Sequence, residues 1–284
     1  MSPEQIADER RRGRLAAAAA VLAAALFAAA AVWAQSLSDD APERNGPALL
    51  RYFDRHSGDL VGSSTLRGLG LLLLLGVTTH LWRATKARRP DEPQVVFVMG
   101  TYGPIAAGIG TIAVGIALAL AASSFVDREF QTIDAADDAF RTVQLIGLLS
   151  FSGSLALAFW FVKGCLDAMR VGLLDRFTGV IGILIGPGLV ILSTFFQFVL
   201  PVWLLAVAAI LAGRSFRALP PAWEAGEATP WPSPREALGG ALDDGLRTTT
   251  PNGEVEAVGP GVRAPDEPEG GAGGPARRKR KRRR

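Results

Sequence analysis

The side chains able to do chemistry are few in this chain and widely separated. His56 and His80 are the only histidines and Cys165 is the only cysteine, so no CxxC or Cys/His cluster exists to carry structural zinc, thiol redox chemistry or an intramolecular disulfide. Asp134, Asp137 and Asp138 could present carboxylates to a divalent cation from one helical face. The stretch lacks the glycine turn and ligand periodicity of a calcium loop, however, and reads as a solvated acidic loop. No GxxxxGK, HExxH or GxSxG is present. No catalytic residue, cofactor site or metal site is therefore expected, and the chain reads as a protein that is not an enzyme.

The elements that would carry these residues are apolar runs. Of 284 residues 49% are hydrophobic, and they gather in stretches long enough to cross a hydrocarbon layer of about 30 Å. Spans are expected at about 15–34, 64–82, 95–122, 141–162, 178–193 and 199–213. The first follows the basic run Arg10, Arg11, Arg12 and Arg14, and its apolar length exceeds that of a signal-peptide core, so an uncleaved anchor is expected. The tract from Thr178 to Gly213 would make about 54 Å of continuous helix, too long for one crossing. Pro187, Pro201 and the polar Ser193, Thr194 and Gln197 predict a tight turn at 194–199. The expected fold is an all-α membrane protein of about six transmembrane helices in a compact bundle.

Charge orients the spans. Residues 1–14, 83–94, 163–176 and 214–284 hold 24 of the 30 Lys and Arg, which places those segments and both termini in the cytoplasm. His56 and His80 then lie on opposite sides and cannot share a metal; His56 follows Tyr52 and Phe53 on an expected interfacial helix. Arg67, His80, Arg83, Arg141, Lys163 and Asp167 fall near span ends, where interfacial anchoring explains them. No ionisable residue is expected at mid-membrane to mark a transport path.

Helices in lipid associate through small residues that let backbones approach. Gly103, Ala107, Thr111 and Gly115 recur at every fourth residue of the third span, and Gly182 and Gly186 form a GxxxG in the fifth. Both are read as packing seams inside one bundle. Pro104 should kink the third helix or delay its start.

Residues 214–234 form a Pro/Trp juxtamembrane segment, whose Trp223 and Trp231 are costly to leave in water and are read as interfacial or partner contacts, the segment lying along the inner headgroup layer or docking under the bundle. From 235 onward Pro, Gly and charge replace large apolar groups, and a disordered cytoplasmic tail is expected. It ends in Arg277, Arg278, Lys279, Arg280, Lys281, Arg282, Arg283 and Arg284. Such a run is drawn to anionic lipid at about 1 kcal/mol per residue. An acidic partner would attract it by the same physics, and nucleic acid ranks below lipid because the tether holds the run at a membrane.

Three short motifs lie on the expected cytoplasmic side. They are Trp82-Arg83-Ala84-Thr85-Lys86-Ala87-Arg88-Arg89-Pro90, Arg170-Val171-Gly172-Leu173-Leu174-Asp175-Arg176-Phe177, and the segment from Pro220-Pro221-Ala222-Trp223 to Pro230-Trp231-Pro232-Ser233. Together they resemble a family of multi-span integral membrane proteins of unknown function from GC-rich Gram-positive bacteria. The resemblance implies a multi-pass protein of the bacterial plasma membrane, and it implies no activity, cofactor or catalytic residue. The clustering of the recognisable residues on one side favours an interaction or assembly platform that engages the bilayer and a protein partner there. The alternative is a small-solute transporter or channel, with three hairpins as weak repeats.

Overall fold

The computed structural model describes residues 3–39, 41–42, 46–191, 193–214 and 219–231. The expected tail from 235 and its polybasic end, Arg277 to Arg284, lie outside the described residues. The elements are α1 (Pro3–Asp39), α2 (Gly46–Arg55), α3 (Ser57–Arg88), α4 (Gln94–Val126), α5 (Ile133–Arg170), α6 (Arg176–Ile191), α7 (Ser193–Leu211) and the short α8 (Ala222–Ala225). Among the described residues there is no strand.

Local chemistry sets the boundaries. Pro90 holds Arg89 out of the helical region, at φ −139° and ψ 88°, which ends α3. Pro93, in extended conformation, opens α4. Thr132 caps α5 by accepting from the Ala135 amide at 3.2 Å, and Asp134 complements the helix dipole in the first turn. The stretch Asp134–Asp138 is therefore helical, in place of the acidic loop its composition suggests. α4 runs unbroken from Gln94 through Pro104, so the proline does not delay the helix.

α1, α3, α4 and α5 are long and apolar enough to cross a membrane. α6 and α7 are shorter, 16 and 19 residues, or about 24 and 28 Å. Helix occupies 194–199, where the sequence suggested a turn; α6 ends at Ile191 and α7 begins at Ser193. Trp203 donates its indole N–H to the Thr178 carbonyl at 2.8 Å, which pairs the start of α6 with the middle of α7 as an antiparallel hairpin.

The six larger apolar helices close a ring. α1 packs on α3, α3 on α4, α4 on α5, α5 on α6, α6 on α7, and α7 returns to α1. Small residues line the contacts and large apolar ones point outward: Ala20, Ala23 and Ala107 are buried, while Ile109, Leu120, Leu145, Leu148 and Val202 are exposed. This inversion of the soluble pattern suits a lipid surround. α2 caps the opposite end from α8, seating Leu50 with Ala122, Phe125 and Ala136, while Tyr52 donates to the Leu37 carbonyl at 2.8 Å.

The two faces of α4 use different glycines. A Cβ at Gly103 would meet the Leu157 amide nitrogen of α5 at 2.8 Å, and Ala107 abuts Gly153 of α5. Thr111 and Ser150 hydroxyls meet at 3.1 Å. Gly115 instead faces Ser64 of α3, beside the reciprocal contact in which a Cβ on Gly68 or Gly108 would sit 2.7–2.8 Å from the other's carbonyl oxygen. Gly182 faces Cys165 and Trp203, and a Cβ on Gly186 would meet the Ala158 carbonyl oxygen at 2.6 Å.

Gly110→Leu would force a side chain into the Ser150 backbone, 2.5 Å from its amide nitrogen. A destabilisation of about 1–3 kcal/mol or more is expected, read as a lower thermal midpoint of the detergent-purified protein. Gly58→Ala, with nothing within 4 Å, should raise that midpoint slightly through helix propensity.

Candidate functional site

The bundle end that carries the helix-linking cations is assembled around Arg88. The residue is 8% exposed, and every one of its five N–H donors is matched. Nη1 and Nη2 grip the Glu9 carboxylate at 2.7 and 3.0 Å, Nη1 also reaches the Ala84 carbonyl at 3.0 Å, and Nε and Nη2 share the Ala222 carbonyl at 3.1 and 2.8 Å. A guanidinium with its full donor set used is tolerable away from water. The consequence is that α1, α3 and α8 are held at one point.

Trp223 lies over this guanidinium, 5.3 Å from ring centroid to carbon, and stacks on His80 at 5.9 Å with planes 3° apart. Its indole donates to the Leu173 carbonyl at 2.9 Å, and Trp231 donates to the neighbouring Leu174 carbonyl at 2.9 Å. The backbone joins in, with the Thr229 amide donating to Val171 at 3.1 Å. Gly172 makes that approach possible: its φ of +79° suits glycine, and a Cβ there would collide with the Thr229 carbonyl. At 6% exposed, Trp223 is spent on its own chain. Of the placements the sequence allows this segment, the structure has it docked under the bundle, where carbonyls freed by the turn after α5 accept its indole N–H groups.

Beside this junction lies a buried acid pair. Asp167 is 0% exposed and meets Lys163, Arg89 at 3.4 Å and Arg170 at 3.5 Å. Glu92, 4% exposed, has Lys163 at 3.6 Å but no hydrogen-bond donor for either oxygen among the described residues. It shares a small enclosed space with Asp167 and with the Trp82 and Trp160 indoles, whose N–H groups likewise find no partner there. Burial pushes the Glu92 carboxyl above its ordinary range, reinforced by the neighbouring Asp167 carboxyl, against the pull of Lys163 and Arg89.

A second concavity lies on the ring axis, a cavity of about 550 Å³ walled by all six larger apolar helices. Its polar lining is Ser63, Ser64, Thr111, Ser150, Ser154 and Arg67. Arg67 thus sits in the interior wall and not at a lipid-facing end. Glu9, Arg88 and Glu92 were not legible as a site from sequence, since each reads as one charge among many. Comparison with protein families, curated proteins and solved structures returned no match for this chain.

Arg88→Met should cost about 3–5 kcal/mol by stranding the Glu9 carboxylate. Thermal unfolding in detergent, with proteolysis of the 219–231 segment as a second readout, checks this, and adding Glu9→Leu should restore most of the loss. Glu92 yields a pH prediction. Its folded-state value is raised above the ordinary 4.5, so its stabilisation is complete below that pH and lost as pH rises through the raised value. Glu92→Gln should flatten this fall, and thermal midpoints across a pH series compare the two proteins.

Proposed function

We propose that this chain is a six-span protein of a bacterial plasma membrane, with both termini in the cytoplasm, serving as a non-enzymatic assembly platform at its Arg88 end. The near-bilayer lengths of α6 and α7 support counting the hairpin as two short spans. The setting follows the motif resemblance and the charge asymmetry. Exposed Arg10, Arg11, Arg83, Arg170 and Arg176 rim one end, while Asp127, Asp134, Asp137 and Asp138 are exposed at the other.

The observation that carries the platform reading is the convergence of the three motifs. Arg88 of the first bonds Ala222 of the third, and the indoles of the third bond Leu173 and Leu174 of the second. Segments far apart in sequence thereby form one fixed plate with a cationic rim. Because the indoles are consumed inside the plate, the rim and the polybasic tail are the surfaces left to meet acidic protein or anionic lipid. The transporter reading has the axial cavity in its favour.

Crosslinking in intact cells tests the platform. The full chain should capture a protein partner in stoichiometric amount, and Arg83→Glu with Arg170→Glu, or removal of 232–284, should abolish the capture while membrane insertion persists. Capture of lipid and self alone by the full chain would overturn the reading and make solute flux in proteoliposomes the next assay.

A further inference from the structure

The axial cavity exists because the ring is filled unevenly. α1, α3, α4 and α5 run the full height, whereas of the shorter α6–α7 hairpin the described residues that line the cavity are Leu189 and Leu200. Arg67 lies 21 residues before Arg88 on α3, about 31 Å along the axis and so roughly one hydrocarbon thickness away. It shares its helix face with Leu60, Ser63, Ser64 and Leu71, which stand at helical spacing and also line the cavity. The guanidinium is therefore aimed into the ring and not at surrounding lipid.

No carboxylate or carbonyl of the described residues bonds it, and four of the five lining hydroxyls are turned to other groups. Ser63 donates to the Leu60 carbonyl at 3.2 Å, Ser154 to the Ser150 carbonyl at 2.9 Å, and Thr111 and Ser150 pair with each other. A cation facing an interior wall without a counterion is costly, and a planar fork of donors is matched by an oxyanion. The remaining lining is apolar, including Phe27, Phe53 and Leu157, and the volume falls within the range of small-molecule sites, about 300–1,000 Å³.

We propose that this cavity binds an anionic amphiphile, with its phosphate or carboxylate on Arg67 and its acyl chain among the apolar walls. The two halves of the lining select the two halves of such a ligand: the guanidinium sits at headgroup depth, and Leu71, Leu157 and Leu200 extend away from it. The site is independent of the platform reading, since it uses none of the residues at the Arg88 end.

Native mass spectrometry of the full-length protein tests the proposal, with phosphatidylglycerol, oleate, phosphatidylcholine and inorganic phosphate as probes. Salt of about 1 M, where the Debye length is about 3 Å, suppresses binding to exposed cations such as the terminal run. Phosphatidylglycerol or oleate should be retained at least about tenfold more tightly than phosphatidylcholine, and Arg67→Gln should erase that preference. Whichever anion is retained identifies the headgroup. Equal retention of phosphatidylcholine, an unchanged preference in Arg67→Gln, or displacement by inorganic phosphate alone would overturn the proposal. A diazirine-labelled fatty acid on the unmodified protein provides a check that needs no variant. It should mark peptides containing Leu60, Leu157 or Leu200, and marking confined to outward Leu120 and Leu145 would overturn the site.

Discussion

A guanidinium taken out of water must have all its donors met, and in this protein that requirement ties distant parts of the chain to one another. Arg88 meets it with a carboxylate from α1, a carbonyl from its own helix and a carbonyl from α8. No two of those partners would suffice, because each unmatched N–H in a buried site carries a penalty of its own. The docking of the Pro/Trp segment, the position of the N-terminal helix and the closure of the ring between α1 and α7 all lie downstream of that one residue. Gly13, which would crowd both the Leu211 carbonyl and the His80 ring if it carried a Cβ, shows how tightly the three helices are drawn together there.

Within the apolar layer a different constraint rules. Lipid supplies no hydrophobic drive for helix association, so contacts form where backbones approach most closely. α4, flanked by α3 and α5, makes the two most extensive of these approaches at once. A single stripe would serve one partner, and the helix instead divides its small residues, with Gly103 and Ala107 toward α5 and Gly108 and Gly115 toward α3.

Arg67 and Arg88 make an instructive pair. They sit on the same helix, roughly one hydrocarbon thickness apart, and one makes five hydrogen bonds while the other makes none among the described residues. Burial of the first is explained by the fold. Placement of the second in the axial wall is not, and that difference directs attention to what enters the cavity.

The apolar runs, their alternation of basic and acidic connections, and the small-residue spacing of α4 and α6 were legible in the sequence, because each is a property of one helix and its local surroundings. Helix through Asp134–Asp138 was hidden by composition, since a cap from Thr132 outweighed the polarity of the residues it precedes. The expected turn at 194–199 was misplaced for a related reason: polar residues suggested a break where the chain is helical. Pairing is where sequence stops. Nothing local distinguishes Arg88 from Arg89, or Glu9 from the acids around it, and the placement of Trp223 stayed open between headgroup layer and bundle because its acceptor, the Leu173 carbonyl, is fifty residues away in the chain. Only the closed ring brings α1, α3, the turn after α5 and α8 within hydrogen-bonding distance, and only that proximity decides which charges are buried, which are matched and which remain to be met.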